Sequence, residues 1–96
     1  MPAYVLVDVT VSDAAAYDRY KVLAADAVAR YGGRYLARGG ATEVLEGDRQ
    51  PNRIVILEFP DAWAARSWYH SAEYAEAKAA RAGAAAGSFI LVDGAP

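Results

Sequence analysis

The chain lacks cysteine entirely and has a single histidine, His70, among its 96 residues. The first absence excludes disulfides, thiol nucleophiles and thiol redox chemistry. The second excludes a site built from several histidines, and we predict no metal and no bound cofactor. No Gly-x-Ser-x-Gly elbow is present, and Ser71 directly follows His70, so a serine-histidine-acid triad is not expected. The glycine pairs match neither phosphate-binding fingerprint.

Charge of one sign and long apolar runs are also scarce. The formal net charge is −2, and the Lys and Arg residues are scattered rather than clustered. This argues against a nucleic acid or an anionic membrane as partner. No apolar stretch approaches the roughly 20 residues of a membrane span, and residues 1–4 show no signal-peptide pattern. We therefore expect one domain, residues 1–96, in a cytoplasmic protein.

What the chain does have is two segments that are predicted to be strands and are largely apolar on both faces. Residues 53–59 are dense in β-branched and aromatic residues, and Pro60 stops them. Apolar side chains occupy both the odd and the even positions of this strand, with Val55, Leu57 and Phe59 on one face and Ile54 and Ile56 on the other. This pattern predicts burial on both sides. Glu58 interrupts the second face, as Asp8 interrupts the second face of an otherwise apolar strand over 3–11.

Capping signals place two helices between the strands. Asp13 follows Ser12 and precedes a helical stripe that ends at Gly32, where glycine tolerates the left-handed conformation. Asp61 caps a second helix. We expect this helix to break at Ser71, because Ser71 can serve as the N-cap of a new helical segment. The low-complexity run 81–87 is interpreted as a fraying helix end and a turn.

Shorter strands complete the order β-α-β-β-α-β. Residues 34–38 form one, and the glycine pair 39–40 predicts a bulge or close backbone approach. Pairing could continue over 42–45, and the polar segment 46–52 predicts a hairpin loop. Residues 88–92 form the last strand.

This order favours an α+β fold of the ferredoxin-like βαββαβ type. The sheet is four-stranded and antiparallel, with the first and third strands central and both helices on one face. The other face keeps Leu6 and several apolar residues from the third and last strands, more than a monomer usually leaves in water. We predict a homodimer through this sheet face, with the two sheets enclosing a barrel-like interior.

Five segments, in order and spacing, resemble a small bacterial family called domain of unknown function 1330 (DUF1330), of the dimeric α+β barrel superfamily. They are Gly32-Gly33-Arg34-Tyr35, Arg38-Gly39-Gly40, Val44-Leu45-Glu46-Gly47, Glu58-Phe59-Pro60 and Trp68-Tyr69-His70-Ser71-Ala72-Glu73-Tyr74, followed by Arg81. The resemblance spans nearly the whole chain and implies the same fold and dimer. Superfamily members include cofactor-free monooxygenases, lactone isomerases, dehydratases and haem-degrading enzymes, which use the cavity between sheet and helices, an analogy at the level of fold.

Polar residues near the second sheet face form the candidate site. Asp8 and Glu58 are expected on neighbouring strands, where two acids sharing a cavity would repel and raise at least one pKa. Glu58 or His70 is then the candidate general base. Arg38, expected beside Glu58, would orient an anionic or carbonyl substrate. The remaining predicted binding residues are Asp8, Tyr69, Tyr74 and Arg81.

Each of these residues also has a structural interpretation. Arg38 and Glu58 could form a cross-strand ion pair, and Asp8 could lie near a strand end in water. His70 could be a solvated or capping histidine, and Arg81 a cation at a helix C-terminus. Two hypotheses follow: a cofactor-free enzyme acting on a small organic molecule, or a non-catalytic small-ligand-binding or assembly module. An open pocket around Glu58 would favour the first.

Overall fold

Seven secondary-structure elements follow one another in the computed structural model, which describes residues 1–96. They are β1 (Ala3–Val11), α1 (Ala14–Arg30), β2 (Arg34–Arg38), β3 (Arg53–Phe59), α2 (Ala62–Tyr69), α3 (Ala72–Arg81) and β4 (Ala85–Asp93). The predicted α+β, ferredoxin-like order is confirmed, and the second helix is divided at Ser71, whose hydroxyl accepts from Tyr74 N at 3.0 Å. None of the three helices has the length and hydropathy needed to cross a bilayer.

The sheet has the strand order β2-β3-β1-β4, and every neighbouring pair is antiparallel. The first and third strands are therefore central, as predicted. Val7 pairs with Val55 on one side and with Phe89 on the other. Residues directly opposite one another share a face, so Val5, Val7 and Val9, all buried, define the helix-covered face.

The core lies between the helix-covered face and the three helices. Its largest fully buried side chains include Trp68 from α2, Tyr74 from α3 and Phe59 from β3. Burying each such side chain stabilises the fold by roughly 1.5–3 kcal/mol. Gly33 is required beside them, because a Cβ there would lie 2.6 Å from the Phe59 ring and 2.8 Å from Val28.

The opposite side of the sheet, called here the open face, is covered by no helix. It is formed by the alternate residues of the three longest strands: Leu6, Asp8, Ile54, Ile56, Glu58, Ile90 and Val92. Leu6 is 42% exposed, Ile90 58% and Val92 47%. The sequence correctly predicted this second apolar surface.

Three details differ from the sequence-based predictions. The irregularity in β2 lies between Tyr35 and Ala37 rather than at the glycine pair, and residues 42–45 form no strand, so a single loop runs over 39–52. In addition, β4 begins at Ala85 rather than at 88. Alanine and glycine have low strand propensity, but Gly87 lets β4 pass close to β1, where a Cβ would overlap the Asp8 carbonyl oxygen.

Candidate functional site

The two predicted acids on the open face are both held by arginines. Glu58 Oε1 accepts from Arg34 Nε at 2.7 Å, and Asp8 Oδ2 accepts from Arg49 Nη2 at 3.0 Å. Glu58 lies opposite Tyr4, four residues from Asp8 along β1, which is about 13 Å at roughly 3.4 Å per residue. The prediction that the two acids repel across a shared cavity is therefore wrong.

The predicted pairing of Arg38 with Glu58 is also wrong, because the bulge in β2 changes which residues share a face. Arg34 lies opposite Glu58, on the open face, whereas Arg38 lies opposite Val55, on the helix-covered face. The extra residue at Leu36 separates the two registers. Arg34 consequently forms the cross-strand ion pair that the sequence assigned to Arg38.

Arg38 instead borders a small cavity between the sheet and α1, called here the α1 cavity. Its Nη2 donates to the carbonyl oxygen of Lys21 at 3.3 Å, and its guanidinium lies 4.2 Å from the centroid of the Tyr35 ring. Tyr17 and Arg53 also line this cavity, whose volume is about 30 Å³. Such a space holds water but not an organic substrate.

A larger opening, the α2–β4 pocket, lies between α2 and strands β1 and β4. Its volume is about 270 Å³, and its lining residues are Val5, Ala65, Arg66, Trp68, Tyr69, His70, Phe89 and Leu91. The structure thus brings together two predicted site residues, Tyr69 and His70. Their rings are 5.3 Å apart between centroids in an edge-on arrangement.

His70 owes its position at the rim of this pocket to the end of α2. It is the C-cap residue, and its backbone N–H donates to the Arg66 carbonyl at 3.0 Å, which leaves the imidazole exposed. Trp68 forms part of the wall and is 1% exposed, yet its indole Nε1 has no hydrogen-bond partner. An unpaired buried N–H costs free energy unless a ligand or water accepts from it.

Tyr74 and Arg81, the other two predicted binding residues on this side of the sheet, do not line the α2–β4 pocket. The hydroxyls of Tyr74 and Tyr20 are 2.8 Å apart and buried. Burial raises the pKa of Tyr74 above its ordinary value, and burial with the adjacent Tyr74 hydroxyl raises the pKa of Tyr20 still further. The Arg81 guanidinium lies 5.5 Å from the centroid of Tyr20 and 5.3 Å from that of Phe89. This pair of tyrosines joins α1 to α3 and remains neutral at physiological pH.

A third opening is a groove of about 440 Å³ between the open face and the loop over 39–52. Asp8 holds this loop by accepting from Arg49 and, at 3.1 Å, from the backbone N–H of Asn52. Glu58 lines neither this groove nor the α1 cavity nor the α2–β4 pocket. In a single chain, none of these three openings is therefore the pocket around Glu58 that would favour an enzyme. Nor do three His, Asp or Glu side chains converge to hold a metal ion.

Sequence reasoning missed two contributors to these cavities. Trp68 is buried in the core but also lines both helix-side cavities. Arg53 lies two residues before Val55 in β3, and alternate residues of a strand share a face, so Arg53 belongs to the helix-covered face. That pattern was a usable signal for Arg53, whereas no sequence pattern indicates the unpaired indole N–H of Trp68.

Comparison with protein families gives one match that covers nearly the entire chain. The family described as "Domain of unknown function (DUF1330)" matches residues 2–95. A search of curated proteins finds no match.

Solved structures of the same architecture provide three useful comparisons. A protein of unknown function from Rhodopseudomonas palustris is 23% identical, with a TM-score of 0.77, covering 99% of this chain and 83% of that one. SnoaB, a cofactor-independent oxygenase from Streptomyces nogalater, is 14% identical, with a TM-score of 0.66 and coverage of 99% and 94%. A dimeric ferredoxin-like protein of unknown function from Jannaschia sp. CCS1 is 18% identical, with a TM-score of 0.62 and complete coverage of both chains. At these identities the likeness establishes the fold alone.

Proposed function

We propose that this chain, which belongs to the DUF1330 family, is a homodimeric protein that binds a small organic molecule in the α2–β4 pocket and acts on it without a metal or bound cofactor. The main support is the pocket itself, with a volume of about 270 Å³ and mostly apolar walls. His70 and Arg66 also line it, and Trp68, whose buried indole N–H has no hydrogen-bond partner, forms part of its wall. Ligand sites typically combine apolar walls with a few polar groups of this kind.

The proposed reaction is proton transfer. Histidine is the side chain that most often serves as a general base, so the exposed imidazole of His70 is suited to remove a proton from an acidic C–H or O–H group. The Arg66 guanidinium would stabilise the anion that forms. The cofactor-independent oxygenase SnoaB has a similar fold, which supports this class of chemistry by analogy. Glu58 is the weaker candidate for the base because Arg34 already occupies its carboxylate.

The proposed dimer interface is the open face. Its apolar side chains, among them Leu6, Ile90 and Val92, lie exposed in one chain. The ion pairs of Glu58 and Asp8 lie at its margins, as the polar rim of an interface does. The protein from Jannaschia sp. CCS1 is described as dimeric. Light scattering at micromolar concentration should therefore report about twice the chain mass of 10.2 kDa.

The alternative function is non-catalytic binding of the same class of ligand, or assembly. The observation that favours it is the dispersal of the predicted polar residues. Asp8 and Glu58 are occupied by ion pairs, and Tyr74 is buried against Tyr20. His70 is then the one remaining candidate base among the predicted residues.

Fluorescence offers a direct test of binding, because the chain has two tryptophans. Trp63 is 75% exposed, so Trp63→Phe leaves Trp68 as the sole reporter in the pocket wall. We expect small phenols, ketones or organic acids to shift Trp68 emission and raise the melting temperature. Leu91→Phe, which fills the pocket, should abolish the shift, whereas Val22→Phe on the outer side of α1 should not. Equal responses in the two variants would contradict the pocket assignment.

Turnover separates the two functions. For any ligand that the wild type converts, His70→Gln should abolish conversion while the fluorescence titration still shows binding. Conversion that survives in His70→Gln would exclude His70 as the base. Binding without conversion in the wild type, across the compounds that bind, would favour the non-catalytic alternative.

A further inference from the structure

Two arginines lie side by side on the helix-covered face with no carboxylate partner. Arg38 is opposite Val55, and Arg53 is two residues before Val55 on the same strand, so the two are diagonal neighbours. Diagonal positions across a strand pair are roughly 7–8 Å apart. The four ion pairs of the protein use other cations, namely Lys21, Arg30, Arg34 and Arg49.

Both guanidiniums are held in place by surrounding groups. The Arg53 guanidinium lies over Gly39, where a Cβ would overlap it, and 5.5 Å from the centroid of Tyr17. Its Nε is buried without a hydrogen-bond partner. Arg38 is fixed by its hydrogen bond to the Lys21 carbonyl and by its contact with the Tyr35 ring. The loss of side-chain entropy on binding a ligand is thereby reduced.

The surrounding charge does not neutralise the pair. Lys21 and Asp18 lie on the same surface but neutralise each other, with Nζ 3.0 Å from Oδ1. The local charge is therefore that of the two guanidiniums, in a chain whose formal net charge is −2. Like charges on neighbouring strands repel, so an anion between Arg38 and Arg53 would both be attracted and relieve that repulsion.

We propose that Arg38 and Arg53 form a binding site for the carboxylate of a small organic acid at the mouth of the α1 cavity. Planar guanidinium groups match the two oxygens of a carboxylate. The rings of Tyr17 and Tyr35 border the same cavity and favour an organic acid over a fully hydrated inorganic ion. With a volume of about 30 Å³, the cavity leaves the body of the acid outside.

This site is distinct from the α2–β4 pocket. Trp68 and Phe89 line both cavities and therefore stand between them. Neither Arg38 nor Arg53 borders the larger pocket, and His70 does not border the smaller one. The inference accordingly does not depend on the proposed catalytic function, and His70→Gln should leave carboxylate binding unchanged.

Calorimetric and thermal-shift titrations with sodium benzoate test the site, with sodium chloride at matched ionic strength as reference. Benzoate should bind the wild type, and Arg38→Gln and Arg53→Gln should each weaken binding by about tenfold to a hundredfold, the loss expected for a charge-assisted hydrogen bond. Arg19→Gln is the matched control, because Arg19 is an exposed α1 arginine that lines neither cavity.

Melting temperatures without ligand guard against a simple folding defect. Both variants should remain folded at the temperature of the titration, although each loses the contacts that hold its guanidinium in the wild type. Benzoate binding no stronger than chloride binding would overturn the proposal, as would equal losses in Arg38→Gln and Arg19→Gln. Tighter binding of inorganic phosphate than of benzoate would overturn the assignment to an organic carboxylate.

Discussion

Replacing Ile90 with aspartate is the most direct perturbation of the proposed dimer. Ile90 lies on the open face, opposite Leu6 in the register of β1 and β4, and 58% of its surface is exposed in one chain. A second copy packed against this face would cover it. The substitution leaves the helix-covered core untouched, because Ile90 faces away from it.

The size of the effect follows from the exposed fraction. Full burial of an isoleucine contributes roughly 1.5–3 kcal/mol, so covering the 58% that one chain leaves exposed contributes about 1–2 kcal/mol. A two-fold axis repeats the contact, giving about 2–4 kcal/mol per dimer. That is roughly a 30- to 700-fold change in the dissociation constant. An unpaired buried carboxylate adds several kcal/mol more, so Ile90→Asp should weaken the dimer by at least about a hundredfold.

Analytical ultracentrifugation over a concentration series measures this dissociation constant. Val22→Asp is the matched control, because Val22 is 71% exposed but lies on α1, away from the open face. Far-UV circular dichroism should show that both variants keep their helices and strands. The argument fails if Ile90→Asp and Val22→Asp associate equally well, or if the wild type is monomeric at micromolar concentration.

Three further predictions concern the ion pairs and the buried tyrosines. Glu58→Gln should lower the free energy of unfolding in urea by at most about 1 kcal/mol, because Arg34 is 70% exposed and water screens the ion pair. If the variant lost turnover but kept its stability, Glu58 would again be the candidate base. Tyr74→Phe should cost about 1–3 kcal/mol by leaving the Tyr20 hydroxyl without its partner, and the double substitution of both by Phe should recover part of that loss. Since burial raises the pKa of Tyr20 and Tyr74 above the ordinary 10.0, their contribution is complete below pH 10 and lost as the pH rises further; urea curves above pH 10 should show a decline that the double variant reduces.

The main elements were predictable because their signals are local. Asp13 and Asp61 accept from the backbone N–H groups of Ala16 and Ala64 at 3.2 and 2.8 Å, the capping role that their positions indicate. The alternation of Val55, Leu57 and Phe59 defines a buried strand without reference to any partner. The two apolar surfaces of the sheet were thus predictable from strand periodicity alone.

The candidate site was less predictable, because it depends on register. The glycine pair suggested a bulge at 39–40, but the strand slips one step earlier, at Leu36, and Gly39 N–H still pairs with the Ile54 carbonyl at 2.8 Å. One inserted residue moves Arg38 to the helix-covered face and leaves Arg34 for Glu58. Tyr69 and His70 line the same pocket because they are adjacent in the chain.

The amino-acid sequence by itself determined the order of strands and helices, the family, and the surplus apolar face, since each rests on periodicities and caps that span a few residues. Only the tertiary structure decided which charges meet. A side chain in a strand changes faces with a shift of a single residue, and that shift is set by contacts between distant segments. Arg38 and Arg53, fifteen positions apart, become neighbours for that reason alone.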